Sequence, residues 1–159
     1  MTLQEESSFL SKVPFFQALE PSRLKLLAFT SDMVNFQHGE IIFKAGDPAD
    51  CAYVIMEGEV EILSVVDEES VVSVLQLNQI FGELALLNDE LRSATLRAKG
   101  ELKVMKISES LFMELIRESP KLALNVLRQL SQKLADSHLQ VEELREQLAR
   151  AEDDKSGGT

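Results

Sequence analysis

Tryptophan is absent from this 159-residue sequence, and there are only one tyrosine, one cysteine and two histidines. A single thiol, Cys51, cannot close an internal disulfide and belongs to no CxxC pair, so no disulfide framework is expected. His38 and His138 lie a hundred residues apart and fit neither HExxH nor HxH spacing. That spacing argues against a zinc site or a three-histidine iron site, and no metal ligand is expected. No stretch approaches the roughly 20 apolar residues of a membrane span. Met1 to Ser8 is polar and acidic, without the apolar run of a signal peptide, so a cytoplasmic protein is expected. Basic residues are scarce too: 16 stand against 27 acidic ones, a formal charge of −11. Such a surface repels phosphate backbones and anionic lipid heads, so neither nucleic acid nor membrane is an expected partner.

What remains is enough to fold. The chain is 45% hydrophobic and 27% charged, a balance that builds a core. Three textures follow one another. Residues 1–31 look helical, with Phe9, Leu10, Val13, Phe15 and Phe16 as an apolar entry and Pro21 as a helix-start signal ahead of Leu24, Leu26, Leu27 and Phe29. Residues 32–107 read as short strands: Ile41-Ile42-Phe43, Ala52 to Met56, Val60 and Ile62, Val71-Val72, and Val74-Leu75. Turn residues separate them at His38-Gly39, Gly46-Asp47-Pro48, Glu57-Gly58, Asp67-Glu68-Glu69, Asn78-Gln79 and Lys99-Gly100. Many short strands with regular turns predict a sandwich or jelly-roll barrel. Residues 108–154 return to helical periodicity, with a break at Ser119-Pro120, and 155–159 read as a disordered tail.

The second C-terminal helix carries a heptad. Leu127, Leu134, Val141 and Leu148 recur every seven residues, with Leu130, Ser137, Leu144 and Ala151 as the companion series. The two series form a coiled-coil seam and predict a homodimer through the helix 121–151. The other reading is a single helix packing its stripe on its own barrel. Ser137 is the polar break in the seam.

One segment in the strand region does not read as a strand: Phe81-Gly82-Glu83-Leu84-Ala85-Leu86-Leu87, then Asn88-Asp89, then Arg92-Ser93-Ala94-Thr95. Gly82 permits a sharp turn, Glu83 to Leu87 form one or two helical turns, and a new strand is expected from Ser93. A short helix aims unsatisfied N–H groups at an anion. An arginine returning from its far end can clamp a phosphate with paired hydrogen bonds. A glutamate there suits a sugar hydroxyl instead. Phosphate and sugar together indicate a small nucleotide. The plainer alternative is an ordinary surface ion pair between Glu83 and Arg92.

Phe81 to Thr95 resembles the phosphate-binding cassette of the cyclic nucleotide-binding domain family, shared by protein kinase A regulatory subunits, nucleotide-gated channels and bacterial catabolite activators. Gly39 to Asp50 and Tyr53 to Glu61 resemble the family's earlier strands and turns. The likeness covers roughly Phe9 to Val141. It implies an α+β, mainly β fold: an eight-stranded antiparallel β-roll with N-terminal helices and a long C-terminal helix. It implies that Gly82 and Glu83 face the ribose, with Glu83 accepting from the 2′-hydroxyl. Leu84 and Ala85 follow in the same turn, the Ala85 N–H meeting the cyclic phosphate. Arg92 pairs with that phosphate, and Ser93 lies beside phosphate and base. Ile62, Val72 and Ser73 form a wall near the base. Lys133, Ser137 and His138 match positions that approach the purine in the bacterial activators. Asn78-Gln79-Ile80 departs from the family's usual Gly-Asp, but Asn tolerates the left-handed conformation that the turn needs.

The expected function is therefore a sensor of cyclic AMP, with cyclic GMP second, that has no cofactor and signals to an unidentified effector protein. The residues after Glu143 are few and acidic. A stand-alone bacterial-type module without a DNA-binding domain is expected, or one cut from a larger protein. No nucleophile motif or metal cluster marks an enzyme. The competing expectation is a non-binding scaffold that acts through its coiled coil.

Overall fold

The computed structural model describes residues 2–156. Two helices come first, α1 (Leu3–Ser11) and α2 (Pro21–Thr30), joined through a single 3-10 turn at Pro14–Phe16. The Thr2 side chain caps α1 by accepting from the Glu5 N–H, and Pro21 occupies the first position of α2, where a missing N–H costs nothing. The strands are β1 (Asp32–Phe36), β2 (Ile41–Phe43), β3 (Cys51–Leu63), β4 (Val71–Leu75), β5 (Ile80–Phe81) and β6 (Leu96–Ser108). The short helix α3 (Glu83–Asn88) interrupts them, and α4 (Glu109–Glu118) and α5 (Pro120–Ser156) close the chain.

All strand pairings are antiparallel within one sheet of order β1-β6-β3-β4, with β2 also on β6 and β5 also on β3. The described residues hold six strands, not the eight expected. The reason lies at two of the expected turns. Glu57-Gly58 and Lys99-Gly100 are bends inside continuous strands, not ends. β3 and β6, 13 residues each, pair on both sides of the bend, Cys51–Glu57 with Lys103–Ser108 and Glu59–Ile62 with Leu96–Lys99. Gly58 sits at φ 88, and a Cβ there would lie 2.3 Å from the Glu101 carbonyl oxygen, so only glycine lets the strands turn together.

The sheet encloses Cys51, Tyr53, Ile55, Val60, Phe81, Leu96, Ala98, Leu102 and Val104. A second apolar layer joins the N-terminal helices to α4. Phe16 and Phe112 are almost completely buried, and Phe15 stacks on Phe112 at 5.7 Å between ring centroids. At its surface Arg23 pairs with Glu118 at 2.8 Å, an exposed contact that contributes less than about 1 kcal/mol.

Two compact units meet between Leu122 and Ala123. In the second, α5 runs on to Ser156, so Lys155 is helical where a disordered tail was expected. The rest of that tail, 157–159, lies outside the described residues. Leu127, Leu134, Val141, Leu144 and Leu148 are all exposed along the helix. Among the described residues no helix is long and apolar enough to cross a membrane.

Candidate ligand-binding site

The site begins where β5 ends. Phe81 pairs with Tyr53 of β3, and the two rings stack at 5.0 Å. The chain then turns at Gly82, whose φ of 79 is left-handed, and enters α3. First-turn geometry leaves the N–H groups of Leu84 and Ala85 without intrahelical acceptors. The helix stops after six residues at Asp89, which itself takes φ 52 and donates to the Ala85 carbonyl.

Arg92 returns from the far end of α3 and is only 4% exposed. Its Nη1 donates to the Gly82 carbonyl at 2.6 Å, and its Nη2 donates to the Cys51 carbonyl, also at 2.6 Å. Nη2 also lies 3.7 Å from the Cys51 Sγ. The guanidinium carbon sits 4.1 Å above the centroid of Phe43. All of these partners are neutral, and the Nε is buried with no partner among the described residues. A Cβ at Gly82 would come within 2.7 Å of Nη1, so glycine is required there twice, for its backbone and for this contact. Glu83, at the start of α3, is 6% exposed. The two charged residues are thus buried, which overturns the alternative of an ordinary surface ion pair.

The exit of the cassette is stitched to the turn after β2. The Arg92 N–H donates to the Asp47 carbonyl and the Gly46 N–H to the Arg92 carbonyl, both at 2.8 Å. The Ala45 N–H donates to Thr95 Oγ1 at 3.0 Å, and the Leu63 N–H donates to the Thr95 carbonyl at 3.0 Å. These bonds hold residues 92–95 off the sheet ladder, so β6 starts at Leu96 and not at the expected Ser93.

The thiol beside Arg92 stays protonated. Burial pushes the Cys51 pKa up, and burial followed by the Cys51 contact raises that of Tyr53. The Cys51 thiol therefore meets the guanidinium as a neutral dipole.

Of the residues expected at the site, Gly82, Glu83, Leu84, Ala85, Arg92 and Ser93 share this one cassette. Ser93 is exposed and Leu84 is at the edge of exposure. Ile62 pairs with Ser73 across β3 and β4, while Val72 is the extra residue of a bulge and is 68% exposed. Ile62 also pairs with Leu96, next to the cassette exit. Lys133, Ser137 and His138 lie on α5, in the second unit; His138 is 3.9 Å from Glu142 one turn on. Phe43, Ala45, Gly46, Asp47 and Cys51 were not among the expected site residues. Their contacts with the cassette span some 40 to 50 residues, and no local spacing signals them.

An antiparallel roll here carries a glycine-turned short helix with a buried arginine beside its first turn. The chain belongs to the cyclic nucleotide-binding domain family, whose model matches residues 33–119. A cAMP-dependent protein kinase regulatory subunit from Emericella nidulans is 40% identical over 109 residues, 69% of this chain. The match spans only 26% of that relative's length. Among solved structures, the sensor domain of the transcriptional regulator DNR from Pseudomonas aeruginosa superposes with a TM-score of 0.76 at 26% identity, covering 89% of this chain and 94% of that one. The Thermus thermophilus catabolite activator protein gives 0.73 at 26% identity, covering 82% and 62%.

Proposed function

We propose that this chain is a cytoplasmic sensor of cyclic AMP, with cyclic GMP the second choice, and not an enzyme. One observation carries the reading: Arg92 is buried with a formal charge, neutral partners and an orphaned Nε, beside the first turn of α3. A buried donor left without an acceptor is costly, and a ligand phosphate meeting Nε and the first-turn amides relieves that cost. A dianionic or free phosphate would meet Glu83 at the same turn. A cyclic phosphate monoanion carries less charge and brings a ribose hydroxyl that can donate to Glu83. The adenine preference rests on the cAMP-dependent kinase relative.

In this reading residues 1–31 are an N-terminal helical segment, 32–107 the roll that binds the nucleotide, and the helices of 108–154 its output. Ile62, Val72 and Ser73 form the base wall, and Ser93 lies beside the phosphate. Lys133, Ser137 and His138 contact the purine, a role they take from the family resemblance alone. The exposed heptad of α5 supports a homodimer, and the signal passes to an effector protein. That same exposed seam favours the second reading, a scaffold that acts through its coiled coil and takes no ligand.

A thermal-shift assay with cyclic AMP, cyclic GMP and 5′-AMP separates them. A ligand at 100 times its dissociation constant adds about 2.7 kcal/mol, or several degrees of melting temperature. A shift with a cyclic nucleotide and none with 5′-AMP is the expected result. No shift with any of the three leaves the scaffold.

A further inference from the structure

Phe43 closes β2, and its position depends on a defect in the strand. Ile41 faces Arg97 of β6, whereas Phe43 faces Leu96, so Ile42 is the extra residue of a bulge. In a regular strand neighbouring side chains point to opposite faces. Here Ile42 and Phe43 both pack against the interior of the roll. The bulge therefore re-aims the Phe43 ring inward, where it meets Tyr53 at 6.1 Å and Phe81 at 6.3 Å. The ring ends beneath the guanidinium of Arg92, 4.1 Å from its carbon.

Three kinds of restraint thus meet at one side chain. The carbonyls of Gly82 and Cys51 fix two nitrogens. The backbone of Gly46 and Asp47, in the turn that follows Phe43, holds the Arg92 main chain. The ring covers one face of the guanidinium plane. The restraints leave over the Nε, buried and without a partner, together with the second N–H of each terminal nitrogen.

We infer that Phe43 is a positioning residue for ligand binding: its π face holds the Arg92 guanidinium in the plane that presents its remaining donors to the ligand phosphate. This rests on the cyclic-nucleotide reading above. Cation–π attraction strengthens when water is excluded, and Arg92 is 4% exposed. The attraction also depends on the negative face of the ring, not on its volume. An aliphatic side chain of similar size would fill the same space but leave the guanidinium plane held by its two carbonyl bonds alone.

The electronics of the ring can be tested without changing its shape. Phenylalanine at position 43 is replaced, by site-specific incorporation, with its 4-fluoro, 3,5-difluoro and 3,4,5-trifluoro analogues. Binding of cyclic AMP and cyclic GMP is measured by calorimetry, and the melting temperature of each free protein is recorded. Affinity for the nucleotide that binds is expected to fall stepwise with each fluorine, to about tenfold at three. Phe43→Leu is expected to lose at least as much, and Phe43→Tyr to keep near-parental affinity. A packing role alone predicts a flat fluorine series, and that result overturns the inference while the ligand assignment stands. If the unmodified protein takes up neither nucleotide, the ligand assignment falls and the inference falls with it.

Discussion

Arg92→Lys separates the structural task of this arginine from its proposed ligand-binding task. In the free protein Arg92 ties the start of α3 to β3 through two 2.6 Å bonds, to the Gly82 and Cys51 carbonyls. A hydrogen bond to a charged group contributes about 1.5–3 kcal/mol. Lysine can recover one of the two but lacks the planar fork, and it loses part of the contact with Phe43. The free protein should therefore lose about 2–3 kcal/mol. It remains folded if its stability lies in the ordinary range of about 5–15 kcal/mol. Ligand binding loses the paired geometry toward the phosphate, so affinity for the cyclic nucleotide should drop by about 100-fold or more. Urea unfolding of the free protein measures the first effect and isothermal titration the second. Affinity within about threefold of the parent, with the stability loss as calculated, would show that Arg92 is a structural clasp and not a ligand group.

Three further outcomes follow from other parts of the molecule. Gly82→Ala forces a side chain onto φ 79 and places its Cβ 2.7 Å from Arg92 Nη1; it should cost about 1–2 kcal/mol in urea unfolding and weaken nucleotide binding as well, and an unchanged affinity would contradict the close contact. Cys51 and Tyr53 have folded pKa values above their ordinary 9.0 and 10.0, so above about pH 9 the unfolded chain releases these protons first and stability falls as pH rises. Unfolding midpoints compared at neutral and alkaline pH should show a smaller fall for Cys51→Ser than for the parent, and an equal fall would remove Cys51 from the account. Finally, Leu134→Glu together with Leu144→Glu places charges in the exposed seam of α5 and should convert a dimer to a monomer in sedimentation equilibrium. A parent that is already monomeric at every concentration would rule out the coiled coil.

Much of the cassette was legible because its signals are local. Gly82 is needed for a left-handed turn, Glu83 to Leu87 are good helix formers, and Asn88-Asp89 ends the helix at a residue that accepts positive φ. The strand count was not legible, because a glycine that ends a strand and a glycine that bends one have the same local sequence. Gly58 and Gly100 bend theirs, and only the pairing of β3 with β6 on both sides of the bend distinguishes the two cases. The start of β6 was misplaced for a similar reason: nothing local separates residues 92–95 from the strand that follows, but the backbone bonds of Arg92 and Thr95 go to Gly46, Asp47 and Leu63.

The sequence by itself determined which residues are chemically fit for the site and how they follow one another from Gly82 to Ser93. It did so because turn, helix and charge preferences act over a few residues. Only the tertiary structure decided what surrounds the arginine: the Cys51 carbonyl 41 residues away, the backbone of Gly46 and Asp47, and the ring of Phe43 turned inward by a bulge. Those contacts arise from strand register and burial, which no local pattern encodes. They leave Arg92 a dehydrated donor, because a guanidinium fixed on its edges and covered on one face has few directions left in which to bind.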